Sequence, residues 1–60
     1  MGTLENDIKI AEERIKEMEK RRSYFASKYM ETGKKFYKKM AESETDMIVE
    51  VRQAIIEALV

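Results

Sequence analysis

The 60-residue chain contains no cysteine, histidine, proline or tryptophan, and only two glycines. Without cysteine no disulfide can form, and without cysteine or histidine the chain lacks the commonest zinc ligands, thiol nucleophiles and neutral-pH proton shuttles. We therefore expect no enzymatic activity, no bound metal and no cofactor. A chain this short buries only about 60% of its unfolded surface, so oligomerisation is the remaining way to enlarge its core.

Long hydrophobic runs are also missing. The most apolar stretch, residues 47–60, is interrupted by Glu50, Arg52, Gln53 and Glu57, and it is well short of the roughly 20 residues that a bilayer-spanning helix needs. The first residues are acidic, whereas a signal peptide begins with a basic region followed by an apolar one. These features predict a cytoplasmic protein that does not interact with a membrane.

The residues that are abundant, glutamate, lysine, alanine and methionine, favour the α-helix. Stepping alternately four and three residues from Leu4 to Phe36 reaches an apolar or aromatic residue at every position except Arg22 and Thr32. A period of 3.5 residues is typical of a coiled-coil seam. The pattern predicts a long N-terminal helix over about residues 3–42.

Two positions could interrupt this helix. Gly33 could end it in a left-handed conformation or lie inside it at a cost of about 1 kcal/mol relative to alanine; the continuing seam favours a helix that runs through it. Residues 43–46, Ser-Glu-Thr-Asp, prefer caps and first turns. They predict a break in which Ser43 and Asp46 have the spacing of a weak capping box and Glu44 is a further cap residue, followed by a short second helix over about residues 45–59.

In this second helix the polar residues Asp46, Glu50, Gln53 and Glu57 form one narrow stripe. Their helical spacing argues against a β-strand, which the β-branched residues would otherwise favour. The remaining apolar surface is broader than one partner helix can cover. We therefore predict a single all-α domain over residues 1–60, a helical hairpin that associates into a homodimeric four-helix bundle or coiled coil. The predicted oligomer core consists of Leu4, Ile8, Ile15, Met18, Phe25, Tyr29, Phe36, Met40, Ile48, Val51, Ile55 and Leu59.

The charges are strongly segregated although they sum to zero. Residues 14–39 hold ten basic and three acidic residues, and the segments on either side are acidic. All five aromatic residues lie in this basic segment, so it is either a solvated flank of the core or a surface that tracks phosphates and stacks bases. The candidate anion or partner surface comprises Lys20, Arg21, Tyr24, Lys28, Lys34, Lys35, Tyr37, Lys38 and Lys39.

These patterns predict a protein that acts by binding. The first hypothesis is an oligomerisation, scaffold or protein-interaction module, and the alternative is a small nucleic-acid-binding or regulatory protein that uses residues 14–39. An acidic protein surface would suit the same basic residues. Charges beside the seam mildly favour a parallel dimer, or an antiparallel dimer whose basic segment is bound to something acidic.

Overall fold

In a computed structural model, which describes residues 3–60, the chain forms a hairpin of two packed α-helices. Helix α1 spans Thr3–Thr32 and helix α2 spans Lys35–Leu59. The prediction of an all-α hairpin is confirmed. The two helices are of similar length, however, because the turn lies earlier in the chain than the sequence pattern indicates.

The turn is centred on Gly33, where the backbone adopts φ +69°. The Gly33 N–H donates to the Tyr29 carbonyl at 2.7 Å, which is the hydrogen bond of a helix that ends in a left-handed glycine. The Thr32 hydroxyl donates to the Lys28 carbonyl and accepts from the Lys34 N–H. The expectation that the helix continues through Gly33 is wrong, because this residue takes the conformation that glycine adopts without steric cost.

Residues 43–46 do not interrupt the chain but lie inside α2. The Thr45 hydroxyl donates to the Ala41 carbonyl one turn earlier at 3.0 Å, so this side chain is satisfied without ending the helix. The predicted break here, and the short helix beginning near residue 45, are therefore wrong. Helix α2 has 25 residues and runs back along most of α1.

The core lies between the two helices near their middle. Ile15, Met18 and Ile48 are buried, and Met47, Val51 and Ile55 pack against them. Towards the ends of the hairpin the contact surface is only half-buried, as at Ile8 and Phe25. The hairpin measures 48 × 16 × 10 Å, which is a single layer of two helices with two broad faces.

The turn also changes which aromatic residues face the core. Phe36, predicted to continue the seam, is 62% exposed, whereas Tyr37, predicted to lie on the outer surface, is half-buried. The Tyr37 ring stacks on that of Phe25, with centroids 6.4 Å apart. Gly33 and Lys34 are not helical, so the spacing that defines the seam in α1 cannot be carried into α2.

Candidate interaction surfaces

The C-terminal half of α2 has an inner and an outer apolar side. Ile48, Val51 and Ile55 face α1, while Val49, Ile56 and Leu59 are 59, 55 and 68% exposed. The three exposed residues follow one another at spacings of seven and three, which places them on one side of the helix. We call Val49, Ile56 and Leu59 the α2 stripe. The prediction that one partner helix cannot cover this part of α2 is confirmed.

A second apolar feature lies between the helices near the turn. Small residues, among them Ala26 and Ala41, leave a groove of about 370 Å³ with Tyr29 and Met30 along one side. We call it the turn groove. Its complete lining is Arg22, Ser23, Ala26, Tyr29, Met30, Lys38, Ala41, Glu42 and Thr45.

A smaller groove of about 180 Å³ lies at the opposite end of the hairpin, between the start of α1 and the end of α2. Ala11, Ala54 and Ala58 are too small to fill the space between α1 and α2 at this end. Leu4, Ile8 and Ile55 form its apolar walls. The helices are therefore incompletely packed on both sides of the central core.

The residues predicted to form an oligomer core divide into two groups. Three of them, Leu4, Phe36 and Leu59, are exposed. The other nine lie buried or half-buried at the contact between the helices: Ile8, Ile15, Met18, Phe25, Tyr29, Met40, Ile48, Val51 and Ile55. Most of the predicted set therefore holds the hairpin itself together.

Part of the predicted basic surface is neutralised within the chain. The Arg21 Nε lies 3.0 Å from the Glu44 carboxylate, Lys28 lies 3.5 Å from Glu31, and Lys20 lies 4.0 Å from Glu17. The exposed Tyr24 ring has the Lys28 ammonium 5.8 Å from its centroid. These side chains therefore have ionic or aromatic partners within the same chain.

The other four lysines of the predicted surface, Lys34, Lys35, Lys38 and Lys39, cluster at the turn and at the start of α2. Within residues 3–60 none of them forms a salt bridge. The first turn of α2 contains no acidic residue, so positive charge lies at the positive end of the helix dipole, where it is unfavourable. We call these four residues the turn lysines.

The Arg21 and Glu44 pair is the polar contact that sequence reasoning missed. Glu44 is only 5% exposed, and its Oε2 accepts no hydrogen bond from any residue that the structure describes. The prediction that Glu44 caps a helix is wrong, because it lies in mid-helix on the inner face of α2. Glu44 lies four residues before the buried Ile48, so helical spacing places both on the inner face. The sequence shows this only once α2 is known to be continuous through residues 43–46.

Neither described helix contains a stretch long and apolar enough to cross a membrane. Among residues 3–60, no group of three acidic side chains is arranged to hold a metal ion. Comparison of the chain with protein-family models, curated proteins and solved structures found no significant match. The exposed surfaces of the hairpin are therefore the features that can indicate a function.

Proposed function

We propose that the protein is a self-association module, in which two hairpins pack face to face as a four-helix bundle and act by binding rather than by catalysis. The observation that carries this proposal is the α2 stripe. Its three aliphatic side chains lie along one flank of a helix whose inner side is already used for folding. An exposed apolar surface of this kind is typical of a protein–protein contact.

The dimensions of the hairpin support the same proposal. Stable domains bury their apolar surfaces between at least two packed layers, and a single layer of two helices leaves both broad faces uncovered. A face 48 Å long and 16 Å wide is of the order of the ~800 Å² that each partner buries in a standard interface. A second hairpin would supply the missing layer.

Sedimentation equilibrium tests this proposal. The wild-type chain of 7.1 kDa should show twice that mass at micromolar concentration. Ile56→Asp should return the mass to that of one chain, because it places a charge in the apolar contact. Ser43→Asp is the matched control, since it adds the same charge at an exposed polar position of the same helix, away from the α2 stripe. A wild-type chain that stays monomeric up to millimolar concentration would refute the proposal.

A second candidate function is the binding of nucleic acid at the turn lysines. The observation that favours it is the group of four ammonium groups without salt-bridge partners in the described chain, with Phe36 exposed among them. Lysines bind backbone phosphates, and an exposed aromatic ring can stack on an unpaired base. This surface lies at the turn end of the hairpin.

Fluorescence anisotropy with short single-stranded and duplex oligonucleotides tests the second candidate. About four phosphate contacts should weaken binding on the order of 100-fold between 50 and 200 mM salt. Changing the four turn lysines to glutamine should abolish the binding. Changing Lys9, Lys16 and Lys20 to glutamine, away from the turn, should leave most of it. No binding at 50 mM salt would eliminate this candidate.

A further inference from the structure

We infer that two hairpins pair antiparallel, with the α2 stripe of each chain seated in the turn groove of the other. This inference rests on the proposed self-association and adds to it the partner, the face and the sense of packing. The partner is a second copy of this chain, and the contact is made twice about one two-fold axis.

The stripe and the groove lie on the same face of the hairpin. Glu42 and Thr45 of α2 line the turn groove. Residues seven positions apart lie nearly above one another on a helix, with a drift of only about 20° per heptad. Seven residues beyond Glu42 and Thr45 are Val49 and Arg52, and a further seven are Ile56 and Leu59. One face thus presents a groove near the turn and, toward the free ends of the helices, an apolar ridge formed by the α2 stripe. Arg52 lies between Val49 and Ile56 on this ridge and pairs with Glu19 of α1.

A ridge and a groove on one face can satisfy each other in a second copy. In an antiparallel pair the terminal end of one hairpin lies over the turn end of the other, so each ridge meets a groove. A two-fold axis then makes both contacts equivalent and closes the assembly as a dimer. In a parallel pair both ridges would lie at one end of the dimer and both grooves at the other, so neither ridge would reach a groove.

The charges at the two ends of the hairpin also favour antiparallel packing. Folding places the acidic segment 40–51 of α2 beside the basic segment 14–25 of α1, where Arg21 pairs with Glu44. Arg52 pairs with Glu19 at 2.9 Å on the surface. The middle of the hairpin is largely neutralised, but its ends are not: residues 26–39 hold five lysines and one glutamate, and residues 3–13 hold four carboxylates and one lysine.

An antiparallel dimer brings these opposite charges together, whereas a parallel dimer would place ten lysines at one end. Like charges brought into contact at an interface suppress the wrong arrangement, and complementary charges favour the correct one. In this arrangement the acidic residues at the start of α1 in one chain lie beside the turn lysines of the other.

Because the chain has no cysteine, a single introduced cysteine carries one spin label per protomer. Pulsed electron paramagnetic resonance on Lys34→Cys should give a turn-to-turn distance of the order of the 48 Å length of the hairpin. Mixing this chain with chains labelled at Asn6→Cys, near the termini, should add a short distance between unlike chains. A short Lys34-to-Lys34 distance in a dimer would overturn the antiparallel arrangement while leaving self-association intact.

The groove gives a second test, independent of labels. Ala26→Glu places a carboxylate in the turn groove on α1, on the opposite helix from the stripe. We expect it to weaken the dimer about 10–100-fold, as Ile56→Asp does, because each leaves a charge in the same intermolecular contact. Ser27→Glu, one residue away on the outer surface, is the control and should leave the dissociation constant unchanged. A dimer that tolerates Ala26→Glu as well as Ser27→Glu would also overturn the inference, and a chain with no dimer at all would refute the proposed function instead.

Discussion

Ile48 and Val49 are adjacent β-branched residues in the same helix, yet Ile48 is 1% exposed and Val49 is 59% exposed. The difference arises from the 100° that each residue turns about the helix axis. The inner side of α2 holds the hairpin together, and the outer side has no partner within the described chain. The apolar character of residues 47–60 therefore has two separate consequences, one for folding and one for binding.

The same division applies to the ion pairs. Arg21 and Glu44 lie against the core, with the Glu44 side chain 6% exposed, whereas Arg52 and Glu19 lie on the surface, with side chains 58 and 43% exposed. An exposed pair contributes about 0–1 kcal/mol, because water already solvates both charges. A buried carboxylate depends on its partner much more strongly.

The largest effect should come from Ile48→Ala, which removes a fully buried side chain from a small core. We expect a loss of about 2–5 kcal/mol in the free energy of unfolding, measured by urea denaturation followed by circular dichroism. Val49→Ala is the matched control. Its cost should be small at low protein concentration and should increase where dimers form. Equal costs at the two positions at low concentration would contradict the division into inner and outer sides.

Arg21→Ala should have the next largest effect, because it leaves the Glu44 carboxylate buried without its cationic partner. We expect a loss of about 1–3 kcal/mol in the free energy of unfolding. Arg52→Ala breaks the exposed pair and should cost at most about 1 kcal/mol. Glu44→Ala should cost less than Arg21→Ala, because Arg21 is half exposed and can be hydrated. If the two arginine variants were equally stable, the burial of Glu44 would have no energetic consequence.

The helical class, the hairpin and the excess apolar surface of α2 could be predicted because each depends on periodicity within a local stretch of sequence. The position of the turn could not. Gly33 is compatible with both a helix end and a helix interior, and residues 43–46 favour caps only weakly, so packing over the whole hairpin decides between the two sites. Propensity is a weak guide where tertiary contacts compete with it.

The candidate surfaces show the same limit. The exposed side of α2 follows from the spacing of its polar residues, but the turn groove depends on which small residues of α1 and α2 meet. The basic segment divides into residues that form ion pairs and the turn lysines, which form none among residues 3–60. This division requires the register that brings Arg21 beside Glu44. The opposite charges of the two ends appear only when the chain is folded back on itself.

The smallest effect should come from a change at Gly33 in the turn. The turn folds α2 back onto α1 and so gives α2 its inner and outer sides. Gly33→Ala introduces a methyl group that meets no atom within 4 Å, so its cost is the strain of an L-residue at φ +69°. We expect this strain to lower the free energy of unfolding by about 1 kcal/mol, measured by thermal denaturation. Gly33→Asn should cost less, because asparagine tolerates this conformation. The sedimentation coefficient should not change, since the hairpin is held by its core. An increase in stability together with slower sedimentation would show that alanine joins α1 and α2 into one straight helix, and the contrast between Ile48 and Val49 would then disappear.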